Sequence, residues 1–250
     1  MKTKQVLNWI GFIAVIVVNT LASTVTINGV TTGEVSDSFP TLFTPAGYVF
    51  SIWGVIYLGL LAFCIFQSLP AQRESGLLDK IGPWFVLSCA FNVIWLFLWQ
   101  FSMFLSSVAI MIGLLISLLA IYLQLDIGRA QFSRAEKWCV TIHFGIYLGW
   151  ISVAAIANVS VALYDIGWQG QPLGPEPWTV LMLLVAGALG VLMTIRRNEV
   201  AYPLVIIWAA IGIAVKQSNT WSVAAVAALV AAVVLVVLAL VRVRARRKAG

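Results

Sequence analysis

Charge is scarce in this chain. Asp, Glu, Lys and Arg make up 10% of its 250 residues, where a soluble globular domain carries roughly 25%. None of the four lies in the middle of a long apolar run. Ionisable residues at such depth usually mark proton relays and ion paths, so their absence weighs against an ion-coupled pump or a proton antiporter. His143 is the single histidine, which excludes a multi-histidine metal site. Cys64, Cys89 and Cys139 show no metal-like spacing and read as small apolar packing residues, not as disulfides or ligands. There is no Gly-rich phosphate loop of the Walker type and no His-Glu-x-x-His motif. Nothing offers an acid–base pair. The chain therefore reads as a non-enzyme, with no catalytic residue, no metal and no required cofactor.

What is present is apolar. The chain is 62% hydrophobic, with a mean hydropathy of +1.01. Eight apolar runs fall at about 5–23, 45–67, 82–103, 106–125, 138–161, 178–195, 200–215 and 221–241. Each approaches the ~20 residues that a helix needs to cross ~30 Å of hydrocarbon. The first run, preceded by Lys2 and Lys4, could be a signal peptide. Its length and its Trp9 and Asn19 favour a retained span.

The basic residues order these runs. Lys2 and Lys4 precede the first. Arg73 and Lys80 fall in the second connection, Arg129, Arg134 and Lys137 in the fourth, and Arg196 and Arg197 in the sixth. Arg242, Arg244, Arg246, Arg247 and Lys248 form the tail. Only Lys216 falls on the other face. Cytoplasmic loops collect Lys and Arg, so both termini are predicted to be cytoplasmic. The net charge of +6 does not indicate nucleic acid, because it sits at helix ends; a basic tail after a last span favours anionic lipid headgroups.

The first connection, about 24–44, is the longest and has no basic residue. Its alternation of apolar and polar residues predicts a lid over the bundle mouth. Polar and aromatic residues concentrate in spans two to five, with Trp53 and Tyr57 in span two. Asn92, Trp95 and Trp99 follow at i, i+3 and i+7, with Gln100 beside them. Tyr147, Trp150, Ala154 and Asn158 keep i, i+3, i+7 and i+11. Each set shares one helix face. Buried Trp and Asn need hydrogen-bond partners in hydrocarbon, so both stripes should face inward. Together they describe a pocket for a flat, largely apolar ligand, although each Asn by itself could equally be interhelical glue. Trp9, Trp84, Trp138, Trp178 and Trp221 begin spans and read as interfacial anchors. His143, one turn inside its span, reads as a hydrogen-bonded structural residue. The last three runs lack such stripes. Gly187 and Gly190 suit close helix approach, as do Ala224, Ala225, Ala227 and Ala228.

At these residues the chain resembles the TspO/translocator-protein family, the tryptophan-rich sensory proteins. The segment 43–57 is similar to that family's Pro-Pro-x-Trp-Val-Phe-Gly-Pro-Val-Trp-x-x-x-Tyr, through Pro45, Val49, Phe50, Trp53 and Tyr57. Ala46 replaces the second Pro, Tyr48 the first Trp, and one residue fewer separates Phe50 from Trp53. Asn92 and Trp95 match an Asn-x-x-Trp in the third helix. Trp150, Ala154 and Asn158 match Trp-x-x-x-Ala-x-x-x-Asn in the fifth. The resemblance covers about residues 1–165. It implies a five-helix bundle with a pocket below the first loop for porphyrins and other hydrophobic ligands, at Trp53, Asn92, Trp150 and Ala154.

The resulting expectation is an all-α polytopic protein of the plasma membrane with eight transmembrane helices. Residues 1–165 form the bundle, and 166–250 add three helices and the basic tail. Candidate ligand-binding residues are Trp53, Tyr57, Asn92, Trp95, Tyr147, Trp150, Ala154 and Asn158. The ligand is a porphyrin, a haem-type tetrapyrrole or a similar hydrophobic molecule, and the role is that of sensor, carrier or regulator. The other partners are the lipid bilayer and, compatibly, a second copy in a homodimer; nucleic acid is not one. Two alternatives stay open: a transporter of a small hydrophobic or zwitterionic solute through all eight helices, and a structural subunit with no ligand. The last three helices are expected to buttress or oligomerise the bundle without touching ligand, so a chain ending near Leu173 should still bind within about tenfold.

Overall fold

The computed structural model describes residues 3–24, 27–72, 75–168 and 170–249, with side chains to residue 245. Lys2, Val25, Thr26, Arg73 and the side chains of Arg246, Arg247 and Lys248, which entered the readings above, lie outside the described residues. Within them all regular structure is helical.

The chain opens with α1 (Thr3–Thr24) and a short α2 (Thr32–Asp37). A 3-10 turn at Gly47–Ser51 leads into α3 (Ile52–Ser68). A short α4 (Leu77–Ile81) precedes α5 (Trp84–Gln100) and α6 (Phe104–Gln124). Then α7 (Arg134–Glu136) runs through a π turn at Lys137–Thr141 into α8 (Ile142–Asp165). Last come α9 (Pro175–Arg197), α10 (Ala201–Lys216) and α11 (Trp221–Ala249). Local chemistry sets several of these starts. Thr31 with Glu34, and Ser133 with Glu136, each form a reciprocal capping box. Pro175 stands at the first position of α9, where its missing N–H costs nothing.

Among the described residues, six helices are long and apolar enough to cross a membrane, α3 and α8 together with the helical turns that lead into them (Gly47–Ser68 and Arg134–Asp165); α5 and α10, of 17 and 16 residues, are shorter apolar helices. At ~1.5 Å per residue these two reach only about 25 Å. The eight spans read from the sequence are all present as helices, but length qualifies six of them by itself.

The side-by-side contacts run α3–α1–α5–α6–α8 and back to α3, a closed five-helix ring. Helix α10 packs on α8 and carries α9 and α11 behind it. The seam between α8 and α10 rests on Gly145 and Gly149, spaced four apart. A Cβ on Gly149 would lie 3.1 Å from both the Tyr202 carbonyl oxygen and the Val205 Cβ, and one on Gly145 2.9 Å from the Glu199 carboxylate. Such small-xxx-small pairs let backbones approach where no hydrophobic effect draws helices together. Gly187 and Gly190 serve the same end on α9, against Val230 and Val234 of α11. Of the four alanines proposed for helix contact, Ala227 is fully buried, Ala224 and Ala225 are half-buried, and Ala228 is exposed.

The ion pairs agree with the alternation of connections. Lys4 pairs with Asp79 at 2.7 Å and Arg197 with Asp126, all on connections that carry the basic residues. Lys216, the lone basic residue of the opposite face, pairs at 2.5 Å with Asp37 of the first loop. Glu199, buried between α9 and α10, accepts from the Ala201 and Tyr202 N–H groups at 2.8 and 2.7 Å and so caps α10. Burial pushes its carboxyl up from the ordinary value, against the pull of those N–H groups and of Arg242.

Candidate ligand-binding site

The two polar-aromatic stripes do face each other inside the ring. Trp53 of α3 stacks on Tyr57 at 5.7 Å between ring centroids and on Trp95 at 6.3 Å, and meets Trp150 edge-on at 6.1 Å. Trp95 continues the stack onto Trp99 at 5.7 Å. Phe50 closes against Trp150 at 5.7 Å. Offset stacks and edge-to-face pairs of this kind each add about 0.5–1.5 kcal/mol beyond the area they bury.

The amides hold the rings. Asn158 accepts from the Trp95 Nε1–H at 2.9 Å and donates to Ser107 Oγ at 2.8 Å, joining α5, α6 and α8. A second chain runs from Tyr57, which donates to Asn19 Oδ1 at 2.6 Å. Asn19 donates to Asn92 Oδ1 at 2.9 Å, and Asn92 to Tyr147 at 3.2 Å. The amides are thus interhelical ties. Asn19 and Ser107 were not among the candidates from sequence. An amide inside an apolar run must find a partner, and that was the signal available for Asn19.

Between the rings lies a cavity of about 40 Å³. Of the eight candidates, Trp53, Trp95, Trp150, Ala154 and Asn158 line it; Tyr57, Asn92 and Tyr147 stand outside it, in the hydrogen-bonded chain. The described part of the first loop closes its mouth. Thr32, Ser36 and Pro45 reach the cavity. Trp99 Nε1 donates to the Thr32 carbonyl at 3.2 Å, and Asn28 to the Gln100 carbonyl at 2.9 Å. Phe39 packs edge-on against Phe104 at 4.9 Å. Trp150, one of the lining residues, has its Nε1–H buried without a hydrogen-bond partner among the described residues. Such a donor in a dry site costs about 1–3 kcal/mol until something accepts from it.

His143 departs from expectation. Both its ring nitrogens are buried and have no hydrogen-bond partner among the described residues. It lies instead in an aromatic slot, 4.3 Å from Phe144 and 6.4 Å from Phe63 between ring centroids, with Gly59 leaving room for its ring. Among the proposed anchors, Trp138 and Trp221 are 64% and 82% exposed. Trp9 instead donates to Ser68 at 2.9 Å, and Trp178 packs edge-on against Trp168 at 4.9 Å.

The model of the TSPO-like protein family matches residues 5–241. The chain belongs to that family. The match passes beyond residue 165 and takes in the last three helices. No curated protein and no solved structure matches the chain.

This TSPO-like protein holds the rim of its aromatic cavity with α10. The Ala46 N–H donates to the Gly212 carbonyl at 3.1 Å. Trp208 Nε1 donates to the Val49 carbonyl at 3.2 Å, and its ring meets Tyr48 edge-on at 5.3 Å. A side chain on Gly212 would collide with Val49. Two departures from the TspO-like motif acquire a reason here. A proline at 46 has no N–H to give Gly212, and Tyr48 is the residue that packs on Trp208.

Proposed function

We propose that this protein crosses the plasma membrane eight times, with both termini cytoplasmic, and binds a flat hydrophobic ligand of the tetrapyrrole class among Trp53, Trp95, Trp150, Ala154 and Asn158. It acts as a sensor, carrier or regulator. The TSPO-like family is generally non-enzymatic, which supports this reading over catalysis. The observation that carries it is that Trp150, which lines an aromatic cavity beneath a folded loop, has a buried N–H with no partner among the described residues. A ligand carbonyl or carboxylate would accept from it while the ring system takes the place of a stacked Trp.

The cavity of about 40 Å³ is far below the ~300–1,000 Å³ of small-molecule sites. A ligand of that size needs the rings around the cavity to part, with Trp53 leaving its stack among them. Trp53 is half-buried, as are Tyr57 and Phe50 beside it, and its neighbour Gly54 faces open space. The stacking lost is of the same kind as the stacking a porphyrin offers in return, so the exchange costs little. Among the described residues, the lining comes from the first loop, α3 with the turn that leads into it, α5 and α8.

Protoporphyrin added to the purified protein is expected to quench tryptophan fluorescence saturably. Trp150→Phe keeps the ring and removes the donor. It should weaken binding by about tenfold, the worth of one hydrogen bond to a charged acceptor. Trp221→Phe should bind like the parent. Equal affinity in all three proteins, or no saturation, refutes the site. For topology, reporters fused after Lys248 and in the loop around Ala130 should both report cytoplasm, and one near Gly33 the opposite side. A C-terminus found on the outer side overturns the eight-span orientation.

A further inference from the structure

A second and much larger opening lies on the other side of the first turn of α3. It is a groove of about 980 Å³ walled by α3, α8 and α10. At one end stand Arg129, Lys137 and Arg242, beside Asn198 and Glu199. Along its length the lining turns apolar, through Ile142, Ile146, Leu204 and Trp208, to Ile52 and Val55. It opens sideways onto the surface of the helix bundle, where Val55, Leu204 and Trp208 are 52%, 47% and 37% exposed. In a membrane that surface faces acyl chains.

Its dimensions match one leaflet. Lys137 to Ile146, and Glu199 to Trp208, are each nine residues of nearly continuous helix, about 14 Å at ~1.5 Å per residue. Half of a ~30 Å hydrocarbon core is about 15 Å. Charge matches as well. Among the described residues Lys137 and Arg242 form no ion pair. The one carboxylate in the lining, Glu199, is engaged by the N–H groups that begin α10, and Arg242 acts on it through space without an ion pair. Trp138, 64% exposed at the same end, sits where interfacial tryptophans belong. Basic pockets between helices at the edge of the bilayer are the usual seats of anionic headgroups.

We infer that this groove is a binding site for one anionic phospholipid, its headgroup between Lys137 and Arg242 and an acyl chain along Ile142, Ile146 and Leu204 towards Trp208. A soluble anion would satisfy only the basic end. A zwitterionic lipid would fill only the apolar part. The site shares no lining residue with the aromatic cavity, so it stands or falls independently of tetrapyrrole binding.

The test is native mass spectrometry of the full-length protein released from detergent with phosphatidylglycerol or phosphatidylcholine of identical chains. Phosphatidylglycerol should be retained at least about tenfold better, through the two cations. The double variant Lys137→Gln, Arg242→Gln should bring it to within about twofold of phosphatidylcholine. Leu204→Trp, which fills the apolar part, should lower retention of both lipids without touching the charges. Because Lys137, Arg242 and Leu204 are all exposed, these variants should fold, which circular dichroism checks. Equal retention of the two lipids overturns the proposal. So does an unchanged double variant, or displacement by millimolar glycerol phosphate, which would make this a site for free anions. A dimer that excludes lipid and is broken by Leu204→Trp would assign the groove to a second copy instead.

Discussion

Gly149→Leu should lower the melting temperature of the detergent-solubilised protein by on the order of 5–10 °C. A Cβ alone at this position stands 3.1 Å from the Tyr202 carbonyl oxygen and from Val205, and leucine adds three more carbons to that space. Forcing bulk into a packed contact costs about 1–3 kcal/mol, sometimes more. For a chain of this size each kcal/mol moves the midpoint by about 2–4 °C. The comparison is Gly54→Leu, another helix-to-leucine change on a surface where nothing lies within 4 Å. That variant should melt like the parent or slightly higher, since glycine is a poor helix former. If both variants melt alike, the seam between α8 and α10 is looser than its geometry implies.

The second large effect concerns the last three helices. Read from sequence, they buttress or oligomerise the bundle, and a chain ending near Leu173 keeps its ligand. Among the described residues, none of α9, α10 or α11 lines the cavity; α10 holds its rim instead. That changes the expectation for the truncation. Removing α10 frees the Ala46 N–H and the Val49 carbonyl from their partners on Gly212 and Trp208. It also strips the cover from Gly145 and Gly149 and leaves Asp37 without Lys216. The rim segment Pro45–Val49 then has no outer wall. Truncation near Leu173 is expected to abolish protoporphyrin quenching, or weaken it by about a hundredfold, and to broaden the size-exclusion peak. A monodisperse truncated protein that binds within about tenfold of the full chain would show that the rim stands without α10.

Much of this was legible because hydrocarbon leaves few choices. Backbone groups in a bilayer must be satisfied within the segment, so long apolar runs had to be helices. Charge could gather only in the connections. The ion pairs Lys4–Asp79 and Arg197–Asp126 join connections that the charge pattern had placed on one face, and Lys216–Asp37 joins two on the other. The inward turn of both stripes followed from the need of Asn92, Asn158 and Trp95 for partners, and each has one. Spacing along one helix fixed which residues share a face.

Spacing could not say what a face meets across the bundle. Trp53, Trp95 and Trp99 stack on one another and leave a cavity of about 40 Å³ instead of an open pocket. His143 meets phenylalanines and the bare backbone of Gly59 where a hydrogen-bond partner was expected. The grip of Trp208 on Val49 joins residues 159 apart in the chain, and no local pattern carries that information. The sequence alone determined the helices, the gathering of charge in their connections and the residues turned inward, because each follows from local hydropathy, period and charge. Only the tertiary structure decided which of those residues share a cavity, that α10 holds its rim, and that a groove with a basic mouth opens between α3, α8 and α10, because those depend on helix pairs that close packing alone selects.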